Sequence, residues 1–172
     1  MKLLSILVVV FLSACASRTD RVIARAGHCL AYDGYYHASA GGDPKALQFL
    51  QTRAEWLGVH VEYRPKDHDD LRGAAGLSWM DEQGRHVFVN ADLSINGRLE
   101  VLAHEVGHMF QPPLASRMEH EVFAELVSVE VCQRLGHDTT TIAARYLQAD
   151  KSALRIGRTH KQEIAFVVDI LT

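Results

Sequence analysis

Cysteine, proline and net charge are all scarce in this chain. With three cysteines in 172 residues, a disulfide-dense scaffold is excluded. Proline occurs four times, and these few residues read as boundaries: Pro44 at a helix start, Pro65 in a polar loop, Pro112-Pro113 at a helix stop. Lys and Arg total 18 against 21 Asp and Glu, leaving −3. The charges are interspersed, so the electrostatic footprint of a nucleic-acid-binding protein is missing and no nucleic-acid partner is expected. No internal repeat is visible. After residue 12 no long apolar run follows. What remains beyond the amino-terminal segment is about one domain, enough for a single hydrophobic core.

Histidine, by contrast, is abundant, with ten residues, and two of them are placed with purpose. His104-Glu105-Val106-Gly107-His108 sets two imidazoles four positions apart, which on an α-helix puts both on one face within reach of one metal ion. Leu99, Leu102, Ala103, Val106 and Phe110 recur at helical spacing, with Ser94 or Asn96 as cap. Gly107 inside a helix costs about 1 kcal/mol relative to Ala, which calls for a close approach of another backbone or side chain. Glu105 flanks the same site and could take a proton from a water there. A catalytic zinc site uses three protein ligands and leaves one position open. The third is sought in Arg117–Cys132, where Val122, Leu126 and Val129 describe a second helix ending at Leu135-Gly136. Glu121 and Glu125 share a face of it. One would bind the metal and the other would support a ligand histidine through its outer N–H.

His-Glu-x-x-His is the signature of the zincin metallopeptidases. Followed by Glu121-x-x-Ala124-Glu125 on the next helix, it resembles the gluzincin branch. That resemblance implies one zinc ion held by His104, His108 and Glu121, with Glu105 as catalytic base and Glu125 supporting a histidine. The usual second acid is Asp, so Glu125 is one methylene longer than the pattern, and Glu119 or Glu125 stays open as the ligand in place of Glu121. No Gly-x-x-His follows His108, unlike the metzincin branch. Tyr146 and His137 are the candidates to stabilise an oxyanion.

The implied fold class is α+β: a small zincin-like domain with a short sheet and hairpin packed on the active-site helix, then a mostly helical carboxy-terminal half. Gly76–Met80 and Arg85–Asn90 read as the hairpin, turning at residues 81–84. Strand, Asn-Ala-Asp-Leu-Ser and metal helix together resemble small gluzincins of the ImmA/IrrE-like type, with Val87–Asn90 as candidate edge strand for a peptide substrate. Asp43-Pro44 opens a helix running to Gly58, and Val59–Tyr63 alternates as a strand. Asp138 caps a helix from Thr139 to Ala149, and another spans Ser152–Leu171. His137 and His160 read as surface residues. Tyr32, Tyr35 and Tyr36 lie in a loop-like stretch.

Residues 1–14 have the short apolar core of a signal peptide. Leu12-Ser13-Ala14-Cys15 resembles the lipobox of bacterial lipoproteins, which implies lipidation of Cys15. With no Asp after it, the family's sorting pattern implies an outer-membrane lipoprotein facing the periplasm. Residues 15–42 would be the tether and 43–172 the domain. Cys29 and Cys132 then form an even pair, a candidate disulfide in an oxidising compartment. The expected activity is zinc-dependent hydrolysis of peptide or protein substrates in the envelope. The alternative is a non-catalytic, zinc-braced lipoprotein acting as a binding or adaptor module.

Overall fold

Asp43 caps the first described helix by accepting a hydrogen bond from Lys45 N at 2.9 Å. With Pro44 fixing φ at the first helical position, it starts helix α1, Pro44–Trp56. Ala46, Leu47, Leu50 and Ala54 form its buried stripe. Gly58, at φ +79°, lets the chain turn sharply into the first strand. The computed structural model describes residues 41–71, 74–139 and 153–172. Cys15, Cys29, Tyr32, Tyr35, Tyr36 and Tyr146, and the helix expected after Thr139, lie outside these.

Three strands make one sheet: β1, Val59–Arg64; β2, Gly76–Asp81; and β3, Gly84–Asn90. The hairpin expected between residues 76 and 90 is present. Asp81 shapes its turn by accepting from Gln83 N at 2.8 Å and Gly84 N at 3.2 Å. The strand order is β1-β3-β2, with β1 parallel and β2 antiparallel to β3. This corrects one expectation. Val87–Asn90 belongs to the central strand, bonded on both sides, and the strand edge available near the helix of His104 and His108 is β2. The burial of β3 explains it. Val87, Phe88, Val89 and Asn90 are all buried, so the strand with the most buried residues takes the middle of the sheet.

Helix α2, Ile95–Met109, is capped by Ser94 Oγ, which accepts from Gly97 N at 3.0 Å. It ends before Pro112-Pro113. Helix α3, Arg117–Arg134, is capped by Ser116. Glu119 closes the cap by accepting from Ala115 N at 2.8 Å, a variant of the capping box. The two helices cross where Gly107 meets Ala124. A Cβ at residue 107 would stand 3.1 Å from Ala124 Cα and 3.3 Å from its carbonyl oxygen. The glycine is therefore required by close helix approach, and the cost in helix propensity is offset by packing.

The single helix expected over 152–171 is divided into α4, Ala153–Thr159, and α5, Lys161–Leu171. At His160 the backbone leaves helical geometry, at φ −110° and ψ 27°. The main-chain bonds His160 N to Ile156 O and Ile164 N to His160 O, both 2.9 Å, carry the ladder across the bend. The bend lets Ile156 on α4 and Ile164, Val167, Val168 and Leu171 on α5 all enter the core. The architecture is α+β, with the helices and a small sheet sharing one core.

Candidate metal centre

Because α2 and α3 cross at Gly107, the histidine face of one meets the acidic face of the other. His104 Nε2 and His108 Nε2 lie 3.1 Å apart. Glu121 Oε2 lies 3.5 Å from the first and 3.8 Å from the second. Among the described residues these three side chains form a group whose donor atoms lie within 4.8 Å of one another. Four ligands at ~2.0–2.1 Å around a tetrahedral ion are ~3.3 Å apart along each edge, so the observed separations of 3.1 to 3.8 Å fit one small cation.

The outer nitrogens set the tautomers. His104 Nδ1–H donates to Glu125 Oε2 at 3.1 Å, and His108 Nδ1–H donates to Gln111 Oε1 at 3.3 Å. Both Nε2 lone pairs are thereby turned toward each other and toward Glu121. Two lone pairs and a carboxylate at this distance repel unless something positive lies among them.

Without a metal, that positive charge is a proton. Burial alone would lower the basicity of His104, but hydrogen bonds to Glu121 and Glu125, with the charges of Glu125 and Glu105, outweigh it and raise the imidazole to about 10. Burial and then the charge on His104 lower His108. The hydrogen bond from His104 is the main reason that Glu121 falls to about 2, against the opposing effect of its own desolvation.

The remaining residues sort clearly. Glu105 lies beside the group, lining an open cleft of about 550 Å³ together with His104, His108 and Glu121. Glu119 is not at the centre: its carboxylate closes the α3 cap and pairs with Arg155. Glu125 is fully buried on the outer side of His104. His137 corrects two expectations, because it is neither a surface residue nor part of the cleft. It sits largely buried, with its Nε2 2.6 Å from Glu100 Oε1. His160 is also largely buried, edge-on to Phe123. Cys132 is fully buried on α3, and its expected partner Cys29 lies outside the described residues.

Sequence reasoning missed the contribution of β2. Ser78 Oγ donates to Glu105 Oε2 at 2.7 Å, and a Cβ at Gly76 would come within 2.8 Å of Glu105 Oε1. A glycine and a serine two apart on a strand were the only trace of this in the sequence. Gln111, just past the helix end, was missed as well.

No protein family, curated protein or solved structure matches the chain. What fold and geometry define is an α+β domain whose two packed helices gather a His-His-Glu donor set at the floor of an open cleft.

Proposed function

We propose that the protein is a zinc-dependent peptide hydrolase of the gluzincin type. The observation carrying this reading is the donor set itself: two Nε2 atoms and one carboxylate oxygen at tetrahedral-edge spacing, with Glu105 beside them and open space in front. Two imidazoles and one carboxylate are a zinc-hydrolase ligand set. A bound zinc would supply Lewis acidity, polarising a carbonyl and acidifying a water.

The chain's own residues do the rest. His104, His108 and Glu121 hold the ion, and Glu125 and Gln111 fix the two imidazoles by their outer nitrogens. Glu105 accepts a proton from the attacking water and returns it to the leaving amine, general base then general acid. The β2 edge, running along the cleft at Ala75–Ser78, offers main-chain groups to an extended substrate by strand addition. The apolar leader and the Ser13-Ala14-Cys15 stretch support an outer-membrane lipoprotein acting on envelope peptides or proteins.

Metal analysis of the full-length protein tests this. One zinc per chain, lost in a His104→Ala, His108→Ala variant, with peptide hydrolysis abolished by Glu105→Gln, is the expected result. A metal-free protein that takes up no zinc on reconstitution would end the reading.

A further inference from the structure

Glu105 belongs to α2, yet its carboxylate is held by the sheet. Gly76 and Ser78, two apart on β2, present the same face. Their partners on β3 are Val89 and Val87, both fully buried against the helices, so this is the face turned toward α2. From it Ser78 Oγ donates to Glu105 Oε2 at 2.7 Å, a short hydrogen bond to a charged acceptor. Glu105 Oε1 occupies the space a side chain at 76 would fill. A Cβ there would lie 2.8 Å from Oε1 and from Cγ of Glu105, and 2.5 Å from Val101 Cγ1. The glycine makes room for one carboxylate oxygen and the serine binds the other.

A glutamate side chain has several rotatable bonds, and its terminal torsion is broad. On a helix face bordering an open cleft it would sample many orientations, most of them useless for collecting a proton from one water. The Ser78 hydroxyl removes that freedom by binding Oε2. The same strand borders the cleft with its outer edge, which has no strand partner among the described residues.

Resting on the hydrolase reading above, we propose that Ser78 is the positioning residue of Glu105, so that β2 orients the base with one face while its edge receives the substrate main chain. A peptide aligned on β2 is thereby registered against the base directly, through residues 76–78, rather than through the metal helix alone.

The test compares full-length, zinc-loaded wild type with Ser78→Ala, Ser78→Thr and Glu105→Gln. Turnover of a peptide is measured beside equilibrium binding of a peptide hydroxamate, whose N–OH proton a correctly placed carboxylate accepts. Ser78→Ala is expected to keep its zinc and lose roughly tenfold to a hundredfold in kcat, the range for a hydrogen bond to a charged group. KM should hold within about twofold, hydroxamate affinity should fall in parallel with kcat, and Ser78→Thr should restore both. Equal kcat and hydroxamate affinity in Ser78→Ala and wild type overturns the proposal, as does a threonine variant no better than alanine. Hydroxamate bound no tighter by wild type than by Glu105→Gln also overturns it. Should wild type bind hydroxamate in a Ser78-dependent way yet cleave no peptide, the hydrolase reading fails and the positioning of Glu105 stands.

Discussion

Glu125, wholly buried on α3, accepts the Nδ1–H of His104 at 3.1 Å. That contact fixes which imidazole nitrogen faces His108 and Glu121, and it holds one helix to the other. Glu125→Ala would leave a buried donor without its acceptor and free the ring to turn. Zinc affinity should fall about 10- to 100-fold, the usual effect of losing such a support, as read by competition with a chromogenic chelator. An unchanged affinity would mean that the ring is held by packing alone.

Replacing Gly107 by alanine should lower the melting temperature even though alanine is the better helix former. The new methyl meets Ala124 backbone at 3.1 Å, where α3 must give way as a unit. Overpacking of this kind costs about 1–3 kcal/mol, against about 1 kcal/mol gained in propensity. Zinc affinity should fall as well, since the same crossing sets the distance from His104 and His108 to Glu121. A Gly107→Ala protein that melts at or above wild type would contradict the packing described.

The metal-free protein should show a pH optimum of its own. His104 is raised from 6.5 to about 10, so its stabilising proton is fully in place below about 6.5 and is lost as pH rises through about 10. Glu121 is lowered from 4.5 to about 2, so its contribution is present above about 4.5 and is lost as pH falls toward about 2. Chelated protein should therefore melt highest between these limits. Zinc must displace the His104 proton, so calorimetry at pH 8.5 in buffers of different ionisation enthalpy should register about one proton released per ion. An ordinary imidazole would release almost none there.

His137→Ala should destabilise without touching the metal. The variant removes the imidazole 2.6 Å from the buried Glu100 carboxyl group, and taking a hydrogen-bond partner from a buried polar group costs about 1–3 kcal/mol. Zinc stoichiometry and kcat should hold, because His137 does not line the cleft. A large loss of kcat at constant stability would return His137 to the oxyanion role.

The helices that carry the centre were legible because their signals are local. Ser94 caps, Pro112-Pro113 separates, and i, i+4 spacing puts His104 with His108 and Glu121 with Glu125. The edge strand was misassigned because strand order depends on which strand buries both neighbours, and the hairpin pattern alone cannot say which arm pairs with β1. Ser78 and Gly76 were invisible for the same reason: their partner, Glu105, is 27 positions from Ser78 and is reached only through the fold. The bend at His160 follows Gly157 by three residues, with no Pro to announce it. His137 looked exposed because the acid that holds it is on α2.

The donors are divided between two helices joined by residues 110–116, and this has a topological consequence. An ion bound by His104 and Glu121 cross-links positions seventeen apart (121 − 104), closing a short ring of chain as a disulfide would. A covalent closure of about 15 residues is worth about 3 kcal/mol through the unfolded ensemble. Here the ring already contains Pro112-Pro113, which stiffens the open chain and leaves less entropy for the closure to remove. The ion would act as a reversible clasp on a hinge that is half set, joining occupancy of the site to the docking of α2 on α3.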